Sequence, residues 1–250
     1  MLEKYKNEKF DIILQGGQSN ALGCGSGPAP FDYQEDEDIL YLTPDMEISR
    51  ATEQSVKFKS RGDFSLRFAT LYKEAGLLEK GRKILIIRSA AGGTGFDDNR
   101  WRITNDLYLR MLNMTNFALD QNPGNRLVAF LWHQGENDLE HDATFYHHHL
   151  TSVVNGVRST FHSPRLPFIC GDFCHDWLRG SKLEHGWSEI MTGMISACID
   201  IGHARCIMTY DLLSNHQKAE ANEDQVHFCK ESLQIIGERY FKAYLQLLER

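Results

Sequence analysis

The strongest constraint on the fold of this chain is an alternation of short apolar runs with longer amphipathic segments. Each apolar run ends in glycine or polar residues, which is typical of buried parallel strands. The runs cover residues 10–15, 83–88, 127–132, 166–170 and 204–209, and helical spacing marks residues 64–78, 106–121, 143–160, 188–201 and 230–248. Strands that alternate with helices predict βαβ units, and therefore an α/β fold with a central parallel sheet covered on both faces.

Residues 21–60 form a long segment without a clear period, and they include several Gly and Pro residues and an acidic run at 35–38. Loops of this length within a compact domain are more often functional than idle. The segment could cover a site, or it could contain an edge strand around Ser55 to Lys59. No internal repeat or low-complexity linker marks a boundary. We therefore expect one domain over residues 1–250.

Charge and composition argue against several classes of protein. The chain has 27 Lys and Arg against 34 Asp and Glu, a net charge of −7, which disfavours a surface that follows nucleic-acid phosphates. No apolar run reaches the roughly 18–20 residues of a membrane helix, and the first ten residues lack the apolar stretch of a secretory signal. The six cysteines are scattered along the chain, which favours free thiols in a reducing compartment over a disulfide framework. We expect a cytoplasmic protein that binds neither nucleic acid nor membranes.

Ser19 follows the first apolar run, within the sequence Gly16-Gly17-Gln18-Ser19-Asn20. Parallel α/β sheets bind ligands at the carboxyl ends of their strands. At the start of a short helix, free N–H groups and the helix dipole favour negative charge on a nearby oxygen. The motif therefore indicates a nucleophile, although a Ser that caps a helix after a glycine turn has the same pattern. A phosphate loop needs a Lys followed by Ser or Thr, which this motif lacks.

Asp224 lies three residues before His227, near the start of the last predicted helix. Over one turn of chain, the carboxylate can bind one ring nitrogen and leave the other free to take a proton from a serine hydroxyl. The pair is then the base half of a Ser-His-Asp triad. The alternative interpretation is an Asp that caps the last helix, with a His in its first turn.

Two other strand ends offer hydrogen-bond donors. Gly92 and Gly93 follow the second run, and Gln134 follows the third. Ester cleavage builds negative charge on the carbonyl oxygen. The N–H groups of Ser19 and of Gly93 (or Gly92), together with the Gln134 amide, could form an oxyanion hole for it. Taken alone, a glycine turn and a helix-capping Gln are the simpler explanation.

Glu136 and Asp138 belong to the same loop as Gln134. We assign them to hydrogen bonds that hold Gln134 and the neighbouring loops. The competing interpretation is the acid pair of a glycosidase. A zinc site at Cys170, Cys174 and the nearby His175 lacks a second pair of ligands, so core thiols are favoured there. We predict no metal and no other cofactor.

Taken together, four motifs resemble the SGNH-hydrolase superfamily, and within it the sialate O-acetylesterase-like branch that includes the acetyl xylan esterases of carbohydrate esterase family six. They occur in the family's order and read Gly17-Gln18-Ser19-Asn20, Gly92-Gly93-Thr94, His133-Gln134-Gly135-Glu136-Asn137-Asp138 and Asp224-Gln225-Val226-His227-Phe228. The resemblance implies a flavodoxin-like three-layer α/β/α fold and a serine esterase that needs no metal. Where this branch commonly has Met after the Asn, the chain has Ala21.

By this resemblance, Ser19 is the nucleophile, His227 is the base and Asp224 is the acid that orients it. Gly93 and Gln134 match the donors of the oxyanion hole, beside the N–H of Ser19. Trp101 resembles the aromatic residue that often follows the GGT motif. The residues then expected to support the site or to contact substrate are Gln18, Asn20, Gly92, Trp101, His133, Glu136 and Asp138.

These observations favour a serine esterase that hydrolyses O-acetyl esters on carbohydrates through an acyl-enzyme. Its substrate would be a small-molecule or oligosaccharide acetyl ester, and the missing secretory signal favours an intracellular one. Two alternatives stay open. A lipid esterase or thioesterase of the same fold would need an extended apolar groove. A catalytically inactive carbohydrate-binding protein would keep the motifs without the reaction.

Overall fold

The computed structural model describes residues 5–56, 59–179, 183–220 and 222–249. Its strands are β1 Lys9–Gly17, β2 Ile39–Leu42, β3 Ile48–Arg50, β4 Gln54–Val56, β5 Lys59–Arg61, β6 Arg82–Arg88, β7 Arg126–His133, β8 Phe168–Gly171 and β9 Ala204–Ile207. Seven of them form one sheet in the order β3-β2-β6-β1-β7-β8-β9. All neighbours are parallel except β2 and β3, which are antiparallel.

Helices cover both faces of this sheet. They are α1 Ser19–Leu22, α2 Phe64–Glu74, α3 Asp106–Asp120, α4 Ala143–Thr160, α5 His175–Leu178, α6 Glu184–Ile201, α7 Asn215–Lys218 and α8 Lys230–Leu248. Side chains alternate between the faces along each strand. Thus Ile13 of β1 packs with α2 and α8, whereas Ile12 and Leu14 pack with α3, α4 and α6. The predicted three-layer α/β/α architecture is confirmed.

The segment 21–60 is more ordered than its sequence indicated. It supplies β2, which pairs in parallel with β6, and β3, which forms an edge of the sheet. The edge strand expected around Ser55 to Lys59 was misplaced, because β4 and β5 there pair only with each other, and residues 57 and 58 lie outside the described residues. The sequence pattern missed β2 and β3, which are four and three residues long and lie in a segment without a clear period.

The order of the strands positions the candidate site. β1 lies between β6 and β7, with β2, β3 and β6 on one side of it and β7, β8 and β9 on the other. A crevice opens at the carboxyl ends of the strands at such a switch point. Ser19 follows β1, Gly92 and Gly93 follow β6, and Gln134 follows β7. Three neighbouring strands therefore deliver their loops to one place.

A buried ion-pair cluster holds the opposite end of β1. Asp11 is fully buried. Its carboxylate lies 2.7 Å from Nε of Arg82 and 2.7 Å from Nε of Arg126. It also accepts a hydrogen bond of 2.8 Å from the Tyr72 hydroxyl. The cluster therefore joins β1, β6, β7 and α2 at this end of the sheet.

Of the helices that the structure describes, none combines the length and apolar character needed to cross a membrane.

Candidate active site

Ser19 is the first residue of α1 and follows the carboxyl end of β1 directly. The chain turns at Gly17, which has a φ of +121°. A Cβ atom at Gly17 would lie 2.1 Å from the carbonyl oxygen of His133, so only glycine fits this turn. Ser19 is partly exposed. Within the described residues its backbone N–H has no acceptor, as expected at the start of a helix.

His227 and Asp224 form a hydrogen-bonded pair on the loop before α8. The Nδ1 atom of His227 lies 2.8 and 3.0 Å from the two carboxylate oxygens of Asp224. Burial opposes ionisation of this carboxyl, but hydrogen bonds from His227 and Asn215 outweigh it and lower the pKa of Asp224 to about 2. An ionised carboxylate only accepts hydrogen bonds, so Nδ1 carries the ring proton and Nε2 is left as a base.

Asn20 connects the loop of this pair to the segment that carries Ser19. Its Oδ1 accepts a hydrogen bond of 3.1 Å from the N–H of Phe228, and its Nδ2 lies 3.3 Å from the carbonyl oxygen of Val226. These two residues flank His227 in the chain. Because Asn20 follows Ser19 in α1, the contacts bring the serine and the imidazole to one cluster of loops. No hydrogen bond joins their side chains among the described residues, and catalytic hydrogen bonds often tighten only when substrate binds.

The glycine loop after β6 runs beside Ser19. A Cβ atom built on Gly92 would lie 3.8 Å from Cβ of Ser19. Gly93 is exposed, has a φ of +65° and has open space around its Cα. In the part of the chain that the structure describes, its N–H has no acceptor. The N–H groups of Ser19 and Gly93 are therefore both available to an oxygen atom.

Gln134 lies beneath this loop and is fully buried. Its Nε2 donates a hydrogen bond of 2.6 Å to Asp138, and its other contacts are long, at 3.3 Å to Oε1 of Gln18 and 3.5 Å to the carbonyl oxygen of Thr94. The Tyr146 hydroxyl donates to the backbone oxygen of Gln134 at 2.6 Å. One amide hydrogen is firmly held, and the second has only weak acceptors.

Glu136 and Asp138 are both buried and hydrogen-bonded within the protein. Glu136 accepts a hydrogen bond of 2.8 Å from Nδ2 of Asn20. Asp138 accepts bonds of 3.0 and 2.8 Å from the N–H groups of Phe96 and Asp97. Burial raises the pKa of both carboxyl groups. These contacts contradict the glycosidase interpretation, because acids that act on a glycosidic bond must reach the sugar.

The side chains of Trp101 and His133 are completely buried. Trp101 donates a hydrogen bond of 2.8 Å from Nε1 to the Thr94 hydroxyl and so supports the glycine loop. His133 packs against the rings of Phe64 and Phe228. Their motifs indicated the right loops, but the inward direction of these side chains depends on the tertiary fold. Gln18 and Asn20 are also buried, whereas Gly92 is exposed.

Asn215 and Tyr146 also contact the candidate site, although no sequence motif indicated either residue. Asn215 donates a hydrogen bond of 2.9 Å to Asp224, and Tyr146 binds Gln134 as described above. Asn215 lies in α7 and Tyr146 in α4, and no motif surrounds either residue. Only the folded chain brings them to the site.

Within the described ranges, no group of three or more His, Cys, Asp or Glu side chains is arranged to hold a metal ion.

Comparisons with known proteins agree with the resemblance seen in the motifs. Residues 9–246 match the family described as carbohydrate esterase, sialic acid-specific acetylesterase. The chain is 31% identical over 179 residues to a probable carbohydrate esterase of Arabidopsis thaliana, which covers 63% of this chain and 66% of that protein. It is 31% identical over 107 residues to a probable 9-O-acetyl-N-acetylneuraminic acid deacetylase of Escherichia coli K12, covering 39% of this chain and 32% of that protein.

Among solved structures, the protein NanS superposes with a TM-score of 0.81 at 19% sequence identity. The superposition covers 97% of this chain and 99% of NanS. At this identity the likeness shows the fold alone. The match to the family model extends over almost all of the residues between the first strand and the end of the last helix. The chain therefore belongs to the family of carbohydrate esterases described as sialic acid-specific acetylesterases.

Proposed function

We propose that this protein is a serine esterase that removes acetyl groups from the hydroxyl oxygens of carbohydrates. The observation that carries the proposal is the contact of Asn20 with both neighbours of His227, next to Ser19. This contact supports a site in which the Ser19 hydroxyl, the His227 imidazole and two backbone N–H groups act together. Acyl transfer needs these groups together.

In the proposed reaction, Nε2 of His227 takes the proton of the Ser19 hydroxyl while the serine oxygen attacks the ester carbonyl. Asp224 stays ionised, holds the Nδ1 proton and stabilises the imidazolium that forms. The low pKa of Asp224 supports this role, because a carboxylate with a pKa of about 2 remains charged throughout the neutral range.

The carbonyl oxygen becomes an oxyanion as the serine attacks. The N–H groups of Ser19 and Gly93 are placed to bind it, and the weakly held amide hydrogen of Gln134 lies below them. The imidazolium then gives its proton to the departing sugar oxygen, which leaves an acetyl-serine. Water, deprotonated by His227, attacks this ester and releases acetate, and the proton returns to Ser19.

Family membership supports an acetyl ester of a carbohydrate as the substrate. The Arabidopsis relative is named a probable carbohydrate esterase, and the E. coli relative a probable sialic acid deacetylase. The aligned regions span about two thirds and one third of those proteins, so their substrates reach this chain only as part of the proposal.

The test uses the protein with Ser19 replaced by alanine, next to a matched Ser188→Ala control on the exposed surface of α6. Turnover of nitrophenyl acetate and of acetylated sugars should fall by roughly 10⁶-fold in Ser19→Ala and stay unchanged in the control. Near-normal turnover in Ser19→Ala would refute the mechanism.

Two further measurements separate the alternatives. Butyryl and octanoyl nitrophenyl esters should be poorer substrates than the acetyl ester, and a preference for octanoyl would favour a lipid esterase. A fluorophosphonate probe should label the wild type and not Ser19→Ala. A folded wild-type protein that resists the probe and hydrolyses no ester would favour an inactive carbohydrate-binding protein.

A further inference from the structure

The turn from Glu136 to Asp138 carries two buried carboxyl groups, although the proposed reaction needs neither for proton transfer. Glu136 is 8% exposed and Asp138 is 0% exposed. Burying a carboxylate is costly unless hydrogen bonds compensate for the lost water. Each of these groups accepts a hydrogen bond from a side-chain amide, Glu136 from Asn20 and Asp138 from Gln134. This arrangement points to a role in which the carboxyl oxygens orient these amides.

Glu136 determines the orientation of the Asn20 amide. In the structure Nδ2 of Asn20 faces Glu136 and Val226, and Oδ1 faces the N–H of Phe228. Turning the amide by 180° would set its oxygen against a carboxylate and a carbonyl, and its NH₂ against an N–H. An ionised carboxylate accepts hydrogen bonds and does not donate them, so it rejects the turned amide. Glu136 thereby holds the backbone on both sides of His227.

Asp138 acts in the same way on the opposite side of the site. Its Oδ1 accepts the N–H groups of Phe96 and Asp97, and its Oδ2 accepts Nε2 of Gln134. A Cβ atom at Gly95 would lie 2.7 Å from Asp138, so the glycine loop packs directly on the carboxylate. The two oxygens therefore join the loop of Gly93 to the Gln134 amide and keep the NH₂ of Gln134 in its present direction.

We propose that Glu136 and Asp138 are positioning residues that act on separate halves of the catalytic machinery. Glu136 sets the base half through Asn20, and Asp138 sets the oxyanion half through Gln134 and the loop at 93–97. The inference rests on the proposed function and adds a division of labour between two acids spaced two residues apart.

The consequence for Asp138→Asn follows from hydrogen-bond chemistry. The single oxygen of an asparagine is drawn to the two N–H groups of Phe96 and Asp97, so its NH₂ faces Gln134. Two amide NH₂ groups repel each other, and Gln134 turns to offer its oxygen instead. That oxygen then lies where the N–H stood, so the weakly held donor of the oxyanion site is lost. In the ground state the carbonyl oxygen of the substrate carries little negative charge, so the loss of this donor changes KM little.

For the oxyanion half, the experiment measures kcat and KM of Asp138→Asn on nitrophenyl acetate. We expect kcat to fall by about 10²–10³-fold with KM nearly unchanged, as for loss of one oxyanion donor. Gln134→Glu, which sets a carboxylate against Asp138, provides a second variant of nearly the same shape and should show the same split. A folded Asp138→Asn or Gln134→Glu protein with nearly normal kcat would overturn the assignment.

For the base half, Glu136→Leu should lower kcat by about 10²-fold, at the low end of what a general base contributes. Glu136→Gln keeps an oxygen for Asn20 and should retain most of the activity. Asn20→Asp, which places two carboxylates together, is a second variant and should lose activity like Glu136→Leu. The assignment is wrong if Glu136→Leu stays near wild type or if the Gln variant is as impaired as the Leu variant.

Double-mutant cycles test whether the two halves are separate. The losses of Glu136→Leu and Asn20→Ala should be strongly non-additive, whereas Glu136→Leu and Gln134→Leu should add in free energy. Thermal unfolding identifies any variant that fails to fold. If a leucine or alanine variant does not fold, the variants of nearly unchanged shape, such as Asp138→Asn and Asn20→Asp, test the proposal. If Ser19→Ala keeps the turnover of the wild type, the proposed esterase mechanism itself is rejected. If turnover requires Ser19 but is unchanged by the substitutions of Asp138 and Glu136, only the positioning roles are rejected.

Discussion

The buried imidazole of His133 makes the stability of this protein depend on pH in a way that can be calculated. The Tyr240 hydroxyl donates to the carbonyl oxygen of Trp132 at 2.8 Å, so it accepts from Nδ1 of His133 at 3.0 Å. Nδ1 therefore carries a ring proton. Burial disfavours the charged form and lowers the pKa of His133 from 6.5 to about 4, although Asp172 acts in the opposite direction.

The direction of the effect follows from proton binding. Between pH 6.5 and pH 4 the unfolded chain binds a proton at His133 that the folded protein does not bind. The free energy of unfolding therefore falls as pH decreases through this window and is unaffected by His133 above it. With these two pKa values, the loss between pH 8 and pH 5 is about 2 kcal/mol. That corresponds to roughly 4–8 °C in Tm for a chain of this size.

The assay compares urea unfolding of the wild type and His133→Gln at pH 8 and pH 5. Glutamine can donate to Tyr240 and does not titrate, so any constant loss from the substitution cancels in the difference between the two pH values. We expect the wild type to lose about 2 kcal/mol more than the variant over this range. Equal losses in both proteins would show that His133 is protonated in the folded state or is not buried.

Three further predictions concern the site and the buried ion pairs. Asp224→Asn should lower kcat by about 10⁴-fold while the fold persists, because the amide no longer holds the Nδ1 proton of His227, and steady-state kinetics with circular dichroism tests this. Gln134→Leu should lower kcat by about 10²–10³-fold on acetyl esters, and an unchanged kcat would remove Gln134 from the oxyanion site. Asp11→Ala should cost about 3–5 kcal/mol in urea unfolding, because Arg82 is left buried without its partner, and a loss below 1 kcal/mol would contradict this.

Features that depend on residues close together in the sequence could be predicted, whereas contacts between distant residues could not. The helices at 143–160 and 230–248 begin and end as predicted, because helical spacing is a local pattern. The pairing of Asp224 with His227 joins residues three apart, so the motif alone predicted that contact. By contrast, Asn20 and Glu136 are 116 residues apart, and nothing local in either motif shows that they meet.

Burial separates the residues that the motifs indicated into different classes. Trp101, His133 and Asp138 were expected either to support the site or to contact substrate, and the tertiary structure places all three inside the protein. A strand end exposes one side chain and buries the next, and which of them faces the core depends on the helices packed above it. Strands β2 and β3 were missed because both are short and lie in a segment rich in polar residues, Gly and Pro, which shows no clear period.

The sequence by itself determined the α/β class, the bounds of the helices at 143–160 and 230–248 and the presence of the four motifs, since each depends on residues close in the chain. The tertiary structure alone decided that these motifs converge beside β1, which amide each buried carboxylate orients and which polar side chains face inward. These outcomes depend on strand order and on packing between distant segments. Such contacts form only when the whole sheet is assembled, so no window of sequence contains them.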